Sequence, residues 1–152
     1  MPEIKWSYLH FNEMSTLEMY QILKLRSLVF VVEQNCVYLD VDDKDIAAFH
    51  LCGKIDDTLV AYVRILAPGI SYTEASIGRV LTHPDYRSNG YGIELMKLAI
   101  EKTLNAFNVT SIRIGAQCYL LNFYNNLGFV EEGESFLEDG IPHIEMLYTK
   151  TT

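Results

Sequence analysis

Apolar residues recur along the chain in two rhythms, every second position in some stretches and every third or fourth in others. Lys5-Trp6-Ser7-Tyr8-Leu9-His10 alternates and predicts an opening strand. Ser15 with Glu18 three residues on is a capping box, and Met14 and Met19 stand where a hydrophobic staple lies. The helix they open carries Ile22, Leu25, Val29 and Val32 on one face and ends near Glu33-Gln34. A polar connection follows over 40–45. Residues 48–55 and 59–66 read as strands joined by an Asp56-Asp57 turn, and Pro68-Gly69 then breaks the chain. A strand over 75–82 runs into a loop with Gly90 and Gly92, then a long helix with Ile93, Met96, Ile100 and Leu104 at helical spacing. Residues 111–116 alternate, and a short helix over 120–126 stops at Gly128. Strands over 129–137 and 141–148 close the chain as a hairpin across Glu138-Asp139-Gly140. The order β-α-β-β-β-α-β-α-β-β predicts a mixed α/β (α+β) fold, a central sheet flanked by helices.

Composition narrows the picture. At 152 residues, with 49% hydrophobic and 21% charged positions, the chain is expected to form a single domain over 1–152 with a continuous core. No apolar run approaches the ~20 residues that span a bilayer. Met1-Pro2-Glu3-Ile4-Lys5-Trp6 lacks the charged and apolar regions of a signal peptide, so cytoplasmic residence is expected and no membrane partner. Twelve Lys plus Arg against twenty Asp plus Glu give a net charge of −8. Without a basic cluster, nucleic acid is not an expected partner. The acidity suits a cationic substrate, and equally suits plain solubility. Cys36, Cys52 and Cys118 are odd in number and far apart, as for buried free thiols. His10, His50, His83 and His143 show no metal spacing, and no metal is expected.

The glycine loop carries the first chemical signal. A loop that opens a helix with Gly90 and Gly92 presents backbone N–H groups without intrahelical partners, backed by the helix dipole, and suits a phosphate or pyrophosphate. Ile93 and Glu94 stand where a triphosphate loop needs Lys and Ser or Thr, and Leu95 replaces the third glycine of a dinucleotide fingerprint. Taken alone, Gly90 and Gly92 are as readily turn glycines. Arg87 three residues earlier, and the strand end at Val80-Leu81-Thr82, shift the balance toward a site.

Arg87-x-x-Gly90-x-Gly92 after Val80-Leu81 resembles the acyl-CoA pyrophosphate loop of the GNAT superfamily of N-acetyltransferases. Phe123-Tyr124-Asn125-Asn126-Leu127-Gly128-Phe129 is similar to that superfamily's second signature. Val29 to Cys36, Asp42-Asp43-Lys44-Asp45, Ala116-Gln117 and Glu138 to His143 resemble its ElaA-type branch. The resemblance spans nearly the whole chain.

It implies transfer of an acetyl group from acetyl-CoA directly to a primary amine, small or on a protein. The backbone of Val80, Leu81 and Thr82 would run beside the pantetheine arm. Arg87, Ser88, Asn89, Gly90, Tyr91 and Gly92 would hold the pyrophosphate, with Gln117 and Asn122 as further contacts to the cofactor. Tyr124 would protonate the departing thiolate; its plain alternative is an aromatic patch on the helix. Glu33 would bind the ammonium or accept its proton, with a solvated helix-end acid as the alternative. His143 ranks behind it as an acceptor-site residue, and His50 is a further imidazole. Arg64, Arg79, Asp43 and Asp45 read as ion-pairing residues, structural or substrate-shaping. A non-catalytic acyl-CoA-binding regulatory module is the rival function, and association as a homodimer stays open.

Overall fold

The computed structural model describes residues 3–151; Met1, Pro2 and Thr152, the ends of the expected 1–152 domain, lie outside the described residues. Among the described residues seven strands form: β1 (Ile4–His10), β2 (Phe49–Ile55), β3 (Thr58–Leu66), β4 (Ala75–Thr82), β5 (Ser111–Gln117), β6 (Phe129–Glu138) and β7 (Ile141–Thr149). The helices are α1 (Thr16–Arg26), α2 (Tyr91–Phe107) and α3 (Leu121–Asn126). The strands pair in the order β1-β2-β3-β4-β5-β7-β6, antiparallel except for β4 beside β5. This is the expected mixed α/β architecture.

Strand alternation builds two cores, one on each face of the sheet. Ala61, Val63 and Ile65 of β3 belong to the main cluster with Leu95, Met96 and Ala99 of α2. Tyr62, one step along β3, joins Cys52, Leu81 and Ile22, Leu25 and Val29 in the other. The buried stripe of α2 is Leu95, Met96, Ala99, Ile100 and Thr103. Ile93, expected in that stripe, falls on its flank and is 48% exposed.

The capping box is formed: Ser15 Oγ accepts from Glu18 N–H at 3.1 Å and Glu18 Oε1 from Ser15 N–H at 2.9 Å. Past Arg26 the helix departs from expectation, because Ser27–Glu33 winds as a π-helix. Bonds that reach back five residues widen each turn, and the apolar face expected from a 3.6-residue period rotates away. Val29 stays buried while Val32 is 68% exposed.

Two local features shape the middle of the sheet. Between Arg64↔Gly78 and Tyr62↔Leu81, β4 carries one residue more than β3, a bulge in which Arg79 takes φ +52°. The parallel ladder ends before the bulge: β4 and β5 pair only at Ala75↔Ile112 and Ser76↔Arg113. β5 stays paired with β7 as far as Gln117↔His143, so β4 and β5 part like an opening fork. Asp139 and Gly140, both at positive φ, close the terminal hairpin tightly. Cys36 and Cys52 are buried and Cys118 half-buried, all three as free thiols.

Candidate active site

The loop after β4 and the first turn of α2 form one end of the site. Gly90 is the helix N-cap at φ +79°, a conformation that costs a glycine little, and no side chain caps the helix. Glu94 N–H is bonded to Gly90 C=O at 3.2 Å. The N–H groups of Tyr91, Gly92 and Ile93 therefore precede the first intrahelical bond, where the dipole favours an anion. Ser88 is also left-handed, at φ +68°. Asn89 Nδ2–H donates to the carbonyls of Tyr86 at 3.0 Å and Arg87 at 3.2 Å, which tightens the loop. Tyr91 buries its ring in the core, leaving its backbone to serve the loop. Gly92 lies close to Thr82 and Phe123: a Cβ there would stand 3.6 Å from Thr82 Oγ1.

Arg87 reaches back to the Thr82 carbonyl at 3.3 Å and grips Glu33 with two bonds, 2.7 Å to Oε2 and 2.6 Å to Oε1. The guanidinium holds the Glu33 carboxyl below the usual carboxylate range. Both side chains are more than a third exposed, so water screens the pair and it is worth about 1 kcal/mol or less. Next along the chain, Gln34 donates to Gln117 Oε1 at 3.1 Å. Glu33 at the end of the π-helix is thus tied to the loop after β4, and Gln34 just past it to the end of β5.

The fork opens into a cavity of about 400 Å³. Val80, Gln117, Tyr124 and His143, named from sequence, line it together, with Glu138 and Asp139 from the terminal turn. Glu33 does not line it, though its neighbour Gln34 does; Glu33 lies against the Arg87–Gly92 loop through its bonds to Arg87. Asn122 is exposed on α3 outside the cavity, and Leu81 is a core side chain. Tyr124 is 5% exposed, and burial pushes its phenol above the ordinary value.

The two histidines part company. His50 is wholly buried, bonded through Nδ1 to the Tyr62 hydroxyl at 2.6 Å and through Nε2 to Asp45 C=O at 3.0 Å. Burial pushes its pKa down, and it is a core residue, not part of the cavity. His143 is 2.7 Å from Ile141 C=O through Nδ1. A carbonyl only accepts, so Nδ1 carries a proton, and in the neutral ring Nε2 is then the acceptor. Nε2 faces Glu138 Oε2 at 3.3 Å.

Of the charge network beneath the cavity, sequence reasoning missed Arg26, Asp40 and Asp42. Arg26, fully buried on the apolar face of α1, donates to Asp40 Oδ2 at 2.7 Å, Asp45 Oδ1 at 2.6 Å and Asp40 C=O at 2.9 Å. Arg64 binds Asp42 Oδ1 at 2.7 Å and Oδ2 at 3.0 Å, and Asp45 Oδ1 at 3.1 Å. Arg79 reaches Asp40 C=O at 2.9 Å and Asp42 Oδ2 at 3.2 Å; its Nε lies 2.8 Å from Asp40 Oδ1, with the N–H not directed at that oxygen. Burial alone would raise the Asp42 carboxyl, but Arg64 and Arg79 bring it down to about 2. Of the expected ion-pairing residues, Arg64, Arg79 and Asp45 belong here; Asp43 instead makes the left-handed turn that positions the loop. A charged residue inside a helical apolar run was the one visible signal for Arg26.

The acetyltransferase (GNAT) domain model matches residues 30–150. Protein ElaA of Escherichia coli is 41% identical over 94% of this chain and 95% of its own length. Its crystal structure superposes with a TM-score of 0.90 at 39% identity, covering 96% of this chain and 99% of that one. An acyl-CoA N-acyltransferase from Pseudomonas aeruginosa gives a TM-score of 0.91 at 36% identity, over 97% of this chain and 100% of that chain. An aminoglycoside 6′-N-acetyltransferase complexed with coenzyme A shares the fold, with a TM-score of 0.70 at 16% identity over 94% and 96% of the two chains. A splayed pair of central strands, an uncapped helix start beside them and these matches together make the chain a member of the GNAT acetyltransferase family, in its ElaA-like branch.

Proposed function

We propose that the protein transfers an acetyl group from acetyl-CoA to a primary amine in one direct step. The observation that carries this is the fork between β4 and β5, which joins an uncapped helix start at one end to a cavity holding Tyr124 and His143 at the other. Pyrophosphate would bind the N–H groups of the Ser88–Gly92 loop and the Arg87 guanidinium. Phosphate oxygens carry more charge than the Glu33 carboxylate, and the exposed Glu33 pair is weak enough to be exchanged. The pantetheine arm would pass along Val80, Leu81 and Thr82, with Gln117 on the facing strand.

The ammonium of the acceptor gives a proton to His143 Nε2, and Glu138 shares it and passes it toward solvent. The neutral nitrogen attacks the thioester carbonyl carbon, forming the C–N bond and an oxyanion. As the oxyanion collapses the C–S bond breaks, and the thiolate takes the Tyr124 phenolic proton. The second amine proton is released, the phenol is reprotonated, and amide, free CoA thiol and one net proton result. A phenol pushed upward by burial stays protonated at neutral pH and is ready to donate. Glu33 is better placed to gate the phosphate loop than to act as base. The test is a screen of primary amines with acetyl-CoA, read as free-thiol release. Thiol release that depends on amine supports the reading; CoA binding without turnover on any amine would leave a binding module.

A further inference from the structure

The cavity that would receive the amine is electrically lopsided. Beneath it lies the network in which Arg26, Arg64 and Arg79 meet Asp40, Asp42 and Asp45, three cations against three carboxylates, of which Asp42, Arg64 and Arg79 line the cavity. Both Asp42 oxygens are taken up within it, so that acid is not free to bind an incoming ammonium. Lys44 lies outside the balance. It lines the cavity, its Nζ donates to Ser71 Oγ at 2.8 Å, and it has no carboxylate partner among the described residues. Arg79 lines the same wall with its Nη1 making no hydrogen bond among the described residues. Its φ of +52° at the β4 bulge is uncommon for a residue other than glycine, a strain of the kind that persists where a side chain must be aimed. One pole of the cavity therefore has cationic donors to spare. A separate stretch of the wall, at the β6–β7 turn, holds Glu138, Asp139 and His143, with His143 Nε2 3.3 Å from Glu138 Oε2.

A simple cationic amine would satisfy only the acidic pole and leave the other repelling it. A molecule with ammonium and carboxylate on one short frame satisfies both. We propose that the acceptor is a small amine carrying a carboxylate, of the α-amino acid class, with its nitrogen toward His143 and Glu138 and its carboxylate toward Lys44 and Arg79. This rests on the acetyl-transfer reading above. Size points the same way. The thiol of Cys36 is 3.5 Å from the Asp139 carbonyl, so the loop after the π-helix and the terminal turn meet beside the cavity, which suits a small molecule better than a protein chain.

The test is steady-state kinetics at saturating acetyl-CoA with three matched sets: free α-amino acids, their amides, and the amines lacking the carboxylate. Free amino acids are expected to exceed both other sets in kcat/KM by roughly tenfold or more, the worth of one hydrogen bond to a charged group. Lys44→Met keeps most of the aliphatic stem, lies outside the balanced network, and is expected to raise KM for amino acids roughly tenfold with kcat little changed. KM for the amides should not move. Equal use of all three sets, or an equal change for amide and acid in Lys44→Met, overturns the inference and leaves acetyl transfer standing. Acetylation of a peptide amine but not of free amino acids overturns it as well. No thiol release with any set would overturn both.

Discussion

Glu33 and Arg87 close on each other in two parallel hydrogen bonds, 2.6 and 2.7 Å long, from the end of the π-helix to the phosphate loop. Fifty-four positions separate them in sequence.

If phosphate and Glu33 compete for one guanidinium, removing the competitor should help the ligand. Glu33→Gln is expected to bind CoA a few-fold more tightly, in line with an exposed pair worth about 1 kcal/mol or less. Arg87→Ala should bind it roughly tenfold or more weakly, through loss of charge-assisted contacts. Calorimetry on both variants separates the cases. A weakening in Glu33→Gln would mean that the carboxylate orders Arg87 for the ligand and does not compete with it.

Gly90 offers a cleaner test of the loop than its surroundings suggest. A Cβ built there meets nothing within 4 Å, so a substitution acts through the φ of +79° and through the space above the helix start. Gly133 has the same φ and the same open space but lies on β6, far along the chain from the loop. Both Gly90→Val and Gly133→Val should cost about 1–2 kcal/mol of stability from backbone strain. Only Gly90→Val should lose CoA affinity. Thermal melts measure the shared cost and calorimetry the difference; equal affinity in both variants would remove the loop from the binding site.

Tyr124→Phe keeps the ring that packs edge-on against Phe129 and removes only the hydroxyl. Turnover is expected to fall roughly 10²-fold, the usual worth of a positioned general acid, with CoA affinity and melting temperature little changed. Unchanged turnover would return Tyr124 to the aromatic packing it also provides.

What the chain made legible follows the range of each interaction. β2, β3 and the terminal hairpin were readable because alternation and a turn pair lie within a few neighbouring residues. The capping box at Ser15 and the glycine stop at Gly128 were readable for the same reason. Val32 and Ile93 misled because an apolar residue marks a face only while the winding holds. A π-helix or a small rotation of the stripe moves it into water without any change in composition. Arg26 had only its place in an apolar run as a mark, and Asp40 and Asp42 had none, since their meaning comes from partners brought together by the fold. The Arg87 partner of Glu33 was hidden for that reason too, since it depends on how the π-helical segment crosses the fork.

The charge network and His50 together set how stability should answer to acid. His50 has its pKa depressed by burial, with Arg26 and Arg64 lowering it further and Asp45 opposing them. Between the usual histidine value near 6.5 and its depressed folded value, the unfolded chain therefore binds the extra proton, and stability falls as pH falls through that window. The slope cannot exceed about 1.4 kcal/mol per pH unit for one such group. Asp42, held at about 2 in the fold, adds a second loss. Its contribution of about 2 kcal/mol is complete above pH 4 and disappears as pH falls toward 2. Asp45, also depressed, adds to the same acid limb. Urea unfolding measured from pH 8 to pH 3 should show a plateau, a first decline starting near 6.5 and a steeper one below 4. His50→Gln should abolish the first decline and keep the second. A decline near 6.5 that survives in His50→Gln would have to come from another group, and would leave His50 titrating in the fold much as it does in the unfolded chain.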